Sequence, residues 1–212
     1  MTASVIYYTS NRENQEFEEK IIYDLAHKTS LPIISVSQKP IKLGKNICVG
    51  DVGTSGFNLC RQIQIACREA NTDFVISAES DCLYSPEYFT FTPKRLDIPY
   101  RNTNIYVIRY KRETFSKKDS SMFAQVVGRE FFINRLDDLF GDSSMWNTKE
   151  KNFPKERKRK IFDEYEYFWT DSACISFKTG RGMRQHTNTD DTEAYSLPYW
   201  GTAKGLRKWA GL

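Results

Sequence analysis

Three observations predict an α/β fold with a mainly parallel central sheet flanked by helices. Short runs of strand formers alternate with stretches whose apolar residues recur every three or four positions. The connections between these stretches are short. Up to Ser77 the order is strand–helix–strand–helix–strand, the pattern that parallel crossovers generate.

Ser4 to Tyr8, "SVIYY", reads as a buried strand. Ser10-x-x-Glu13 then reads as a capping box, and Phe17, Ile21 and Leu25 make the stripe of the helix that follows. Leu31-Pro32 stops that helix. Ile33–Val36 is the second strand and Ile47–Val49 a short third. After a turn at Gly53–Gly56, Leu59, Ile63, Ala66 and Ala70 mark a second amphipathic helix. Phe74–Ser77 is the next strand, and Ser85-Pro86-Glu87 looks like an N-cap with Pro at the first helical position. Further on, Asn104–Tyr110 and Met122–Val127 are strand-like, and Arg129–Phe140 is a helix with Phe132, Leu136 and Leu139 on one side. Ala173–Phe177 is the last strand, and the tail from Thr179 reads as loop.

The 212 residues fit one domain, 1–212, whose first half (1–100) binds something at strand ends while the second (101–212) completes the site. No apolar run approaches the roughly 20 residues of a membrane span. The start "MTASVIYYTS" lacks a basic n-region and an apolar core, so a cytoplasmic protein is expected. Five scattered cysteines, with no Cys-x-x-Cys pair, argue against structural zinc and a disulfide framework.

The chemistry is expected at "FVISAESDCLY". Ligands of open α/β sheets sit beyond the carboxyl ends of the strands, and Glu79 and Asp81 fall there. Two carboxylates at spacing two can share a hard cation such as Mg²⁺ or Mn²⁺. A bare Glu-x-Asp is more often a solvated loop, and its place after an apolar strand is what sets this pair apart.

A strand, an acidic motif of the Asp-x-Asp kind and a helix together resemble the signature of glycosyltransferases of the GT-A fold. Upstream, Gly56-Phe57-Asn58-x-x-Arg61-x-x-x-Ile65-Ala66 resembles the helix start that precedes this motif in family-2-like members. The stretch Ile34 to Phe89 is similar to a small subgroup found in bacteria and phages. The likeness covers about the first 110 residues, and Glu-Ser-Asp replaces a full Asp-x-Asp. The resemblance implies a GT-A-like fold with an extended C-terminal acceptor region, and a nucleotide-sugar donor, UDP-linked or similar. It implies Asp81 as ligand of a divalent metal, Mn²⁺ or Mg²⁺, with Glu79 on the ribose or a metal-bound water. Ser80 belongs to the same motif. Thr9, Ser10, Asn11, Arg12 and Gln38 would lie near the base or ribose, with Asn58 and Arg61 from the helix start. Each of these polar loop residues also makes an ordinary turn former or cap. His186, in "RGMRQHT", would complete the metal from a closing segment, with a plain surface histidine as the alternative.

An inverting transfer needs a general base at the acceptor hydroxyl. "FDEYEYFWTDS" offers Glu164 and Glu166 as first candidates, with Asp163 and Asp171 behind them; all could equally balance the neighbouring cations. Arg101, Asn102 and Asn104 are candidates for the sugar. Between Lys149 and Lys160 stand seven Lys/Arg against two Glu, among them Lys155, Arg157, Lys158, Arg159 and Lys160, with aromatics on either side. Such a run suits a nucleic acid, although most charge runs are solvated loops. Phage members of the resemblance suggest a hydroxymethylated base in DNA as acceptor, flipped into the pocket, the enzyme then working in the host cytoplasm. A glycan or small-molecule acceptor is the alternative. A nucleotidyltransferase would use similar acids but ordinarily a Gly-rich basic loop after the first strand, and "YYTSNRENQ" has no glycine. A non-catalytic nucleic-acid-binding module would have no reason to place two acids at a strand end.

Overall fold

In the computed structural model, which describes residues 1–147, 161–181, 189–190 and 192–212, the first strand β1 (Ala3–Thr9) is buried from Ser4 to Thr9 because both its faces are covered. Val5 and Tyr7 join one core with Phe17, Ile21 and Leu25 of α1 (Gln15–Lys28). Ile6 and Tyr8 join a second with α2 (Gly56–Glu69). Between the helices lie β2 (Ile33–Ser37) and β3 (Lys45–Cys48), and β4 (Phe74–Glu79) follows α2. β1 is paired in parallel with β2 on one side and β4 on the other, and β2 with β3. The register puts Thr9 opposite Ser37 and Tyr8 opposite Glu79, so three neighbouring strands end together.

Past β4 the chain changes sheets within two residues. β5 (Cys82–Leu83) already belongs to a second sheet, and a single 3-10 turn (Pro86–Thr90) follows. Then come β6 (Tyr100–Asn102), β7 (Ile105–Ile108), β8 (Phe115–Lys118), a 3-10 turn (Met122–Ala124), β9 (Gln125–Gly128) and α3 (Arg129–Phe140). β10 (Glu166–Phe168), β11 (Cys174–Phe177), β12 (Glu193–Ala194), β13 (Ser196–Leu197), β14 (Gly201–Thr202) and α4 (Ala203–Ala210) complete the described elements. The central sheet runs β10-β6-β9-β4-β1-β2-β3, with only β9 antiparallel to its neighbours. The second sheet runs β12-β8-β7-β11-β5 and closes the α1 side of the core.

Three expectations need correction. The first helix is capped by Asn14, whose Oδ1 accepts from the Glu16 and Phe17 amides. A Ser10 cap would need the helix to start at Asn11, but it starts at Gln15, so the Ser10–Glu13 capping box does not form. Ser85 makes no side-chain cap bond, and only one 3-10 turn follows it, because Pro86 starts a turn that no apolar stripe continues. The tail is not loop throughout. α4 buries Ala203 and Ala210, Thr202 caps it by accepting from the Gly205 amide, and Gly211 closes it in the left-handed region at φ 72°. All five cysteines are free, as expected.

Candidate functional site

The three strand ends open into a cavity of about 180 Å³. β1 and the loop after it supply Tyr8, Thr9, Ser10 and Glu13. β2 leads to Gln38, and the start of α2 supplies Gly53, Thr54, Ser55, Asn58, Leu59 and Gln62. β4 delivers Glu79, Ser80 and Asp81, and Lys178 arrives from just beyond β11. It is the one cation lining this cavity among the described residues.

Lys178 is there because of the sheet exchange. β11 pairs antiparallel with β5, Ser176 opposite Cys82, and the Phe177 amide donates to the Asp81 carbonyl at 2.8 Å. The Lys178 ammonium then reaches Asp81 Oδ2 at 3.3 Å and Ser176 Oγ at 3.1 Å. Burial pulls the Lys178 pKa down, but the acidic neighbours, Asp81 first, outweigh it and the net shift is upward.

Glu79 is held by neighbours on both strands. Tyr8 Oη donates to its Oε1 at 3.1 Å, and its amide donates to Tyr84 Oη at 3.0 Å, which itself donates to the Phe123 carbonyl. Burial first, then the charge of Asp81, pushes the Glu79 carboxyl up to about 7, with Lys178 and Tyr8 pulling the other way. Ligand atoms of Glu79, Asp81 and Cys82 lie within 4.8 Å of one another. The two carboxylates are hard oxygen donors of the kind Mg²⁺ and Mn²⁺ take. Burial, followed by the acidic pair, pushes the Cys82 thiol well up.

Several predicted residues are bonded into the walls and loops around the cavity. Gln38 Nε2 donates to the Gly53 carbonyl at 2.8 Å, and Asn58 Nδ2 to Val52 at 2.6 Å. Asn58 Oδ1 accepts from the Asn147 amide, so both ends of this amide are used. Asn11 sits at φ 50°, and its Oδ1 accepts from the amides of Gln38 and Lys39, tying the β1 and β2 loops together. It lines a second cavity, of about 700 Å³, between α1 and residues 39–42, which meets the first at Glu13. Arg12 is exposed and lines neither. Arg61 faces α3, its guanidinium 3.6 Å over the Phe140 ring and donating to the Ser143 and Ser144 carbonyls.

Glu164 and Glu166 are not brought to the cavity. Glu166 starts β10, three strands from β4 and so about 14 Å across the sheet, where it lies 3.7 Å from Arg95. Glu164 is exposed, Asp163 pairs with Arg135, and the amide of Asp171 donates to Glu87. Asn102 and Asn104 serve the fold by donating to Thr170, and Arg101 stacks on Tyr165. His186 and the run from Lys149 to Lys160 lie outside the described residues.

Tyr8, Thr54, Ser55, Gln62 and Lys178 line the cavity without a sequence signal of their own for a site, and Glu13 lines it although its spacing suggests only a helix cap. Gln62 was within reach of the pattern: it stands one turn after Asn58 on the same helix face, and its Nε2 donates to the Thr9 carbonyl at 2.8 Å. Lys178 follows the strand Ala173–Phe177 much as Glu79 follows "FVIS".

No family model matches the chain, and no curated protein matches it in sequence. Two solved structures of S. aureus TarS share its fold. S. aureus TarS 1–349 in complex with UDP-GlcNAc superposes over 86% of this chain and 60% of its own, at 13% identity and a TM-score of 0.51. A second S. aureus TarS structure covers 84% of this chain and 37% of its own, at 12% identity and a TM-score of 0.50. The bifunctional IspDF from Campylobacter jejuni covers 68% and 46%, at 14% identity and a TM-score of 0.43. The chain thus spans less than two thirds of the length of these proteins. What it has in common with TarS is the GT-A-like fold.

Proposed function

We propose that the protein is a metal-dependent glycosyltransferase that moves a sugar from a nucleotide-sugar, with UDP as its nucleotide, to a hydroxyl acceptor. One observation carries the reading: Glu79 and Asp81 open, with Thr9 and Ser10, into a single cavity at the aligned ends of three parallel strands. Asp81 is the metal ligand in this reading, and Glu79 holds the ribose or a metal-bound water. A divalent cation there supplies charge neutralisation as the diphosphate leaves. Thr9 and Ser10 orient the nucleoside. Thr54 Oγ1, on the cavity wall just before α2, has no hydrogen-bond partner and is suited to a phosphate oxygen. His186 is the proposed late metal ligand, and residues 101–212 the acceptor side.

For the acceptor we propose duplex DNA carrying hydroxymethylated bases. The support is charge: seven cations within Lys149–Lys160 on a chain of net charge +4. An uncharged glycan or small molecule is the competing acceptor.

The donor reading is tested by thermal stabilisation with nucleotide sugars and with nucleoside triphosphates, each with and without Mn²⁺. Stabilisation by a UDP-sugar that needs Mn²⁺ and is lost in Asp81→Asn is the expected result. Stabilisation by triphosphates alone would point to nucleotidyl transfer.

A further inference from the structure

Among the described residues, the cavity is lined by three acidic side chains, Glu13, Glu79 and Asp81, against the single ammonium of Lys178. That ammonium is spent: it lies 3.3 Å from Asp81 Oδ2, and the two side chains are only 17% and 19% exposed. A divalent cation taking the same carboxylate would come within a few ångströms of the ammonium, and like charges at that distance in a half-buried site repel. Lysine's four-carbon stem lets the charge swing without moving the backbone. A diphosphate entering beside the metal brings oxygens that need cationic donors, and Lys178 is the cation already at the cavity wall.

We propose that Lys178 is a transferable counter-ion: it pairs with Asp81 in the empty site and donates to the diphosphate once a metal takes Asp81. The inference rests on the donor reading above and adds a residue to it. It makes two effects of opposite sign. Removing the ammonium removes a competitor for the metal, so Mn²⁺ alone binds more tightly. The same removal takes a charged hydrogen bond from the diphosphate, so UDP binds more weakly. A residue that merely supported the fold would weaken both or neither.

The experiment measures Mn²⁺ affinity of the nucleotide-free protein by electron paramagnetic resonance. It also measures UDP affinity at saturating Mn²⁺ by calorimetry, in wild type, Lys178→Met and Lys178→Arg. Mn²⁺ should bind the Met variant several-fold more tightly, and UDP roughly tenfold or more weakly, as loss of a charged hydrogen bond implies. The Arg variant should recover most of the UDP affinity. Lys178→Gln gives the same readout should the Met variant fail to fold. If wild type binds Mn²⁺ but no UDP, the donor reading fails and this proposal falls with it. If wild type binds UDP and the neutral variants bind it equally well, or bind Mn²⁺ no more tightly, the donor reading stands and the role of Lys178 is overturned.

Discussion

Glu79 shows what a position does to a side chain. Its carboxyl is pushed up to about 7 from an ordinary 4.5, by burial and then by Asp81. Between those values the folded chain keeps a proton that the unfolded chain has released. The stabilisation from that proton is full below about pH 4.5 and is lost as pH rises through 7. In EDTA, the melting temperature of wild type should therefore fall across this window relative to Glu79→Gln, by on the order of 5 °C. Parallel curves for the two proteins would show Glu79 titrating as an ordinary surface acid. The residue pattern alone located Glu79 and Asp81 at a strand end. It could not show which backbone groups the neighbouring amides hold: that Asn58 bonds Val52 and Gln38 bonds Gly53 appears only once the loops are folded together.

Elements that carry their own signals were legible. Arg129–Phe140 is helical as its stripe of Phe132 and Leu136 predicts, and "SVIYY" and "FVIS" are buried strands. β5 and β10 were not legible, since two or three residues hold no period. The junction of β9 with α3 gives a sharp test. A Cβ on Gly128 would lie 1.9 Å from the Leu96 carbonyl oxygen, and backbone cannot yield as a side chain can. Gly128→Ala should cost about 3 kcal/mol or more. Gly56→Ala, at the start of α2 with nothing within 4 Å, should be close to neutral. Asn14→Ala should cost about 1 kcal/mol through loss of the cap. Denaturant unfolding of the three variants checks this order, and a mild Gly128→Ala would mean that the Leu96 segment can retreat.

On the scale of the whole molecule, no helix among the described residues is long and apolar enough to cross a membrane. Duplex DNA binding should weaken steeply with salt, each neutralised phosphate adding about 0.9 to the log–log slope. Replacing Arg157, Lys158, Arg159 and Lys160 with Ala should flatten the slope while donor hydrolysis survives, because Thr9, Ser10, Glu79 and Asp81, on which the donor reading rests, belong to the first half of the chain. A salt titration of both proteins, beside transfer to hydroxymethylated and ordinary DNA, decides it. Equal slopes, or no binding at low salt, would move the acceptor to an uncharged molecule.

The sequence by itself determined the alternation of elements and the level of the acidic pair, because periodicity and strand-end position are local properties of the chain. Only the tertiary structure decided what surrounds that pair. Lys178 reaches Asp81 across 97 residues because β5 and β11 pair in a second sheet. Glu164 and Glu166 stay away because β10 joins the far edge of the first. Strand pairing between distant segments depends on which edges and faces remain to be covered once the local elements exist, and no window of sequence contains that information.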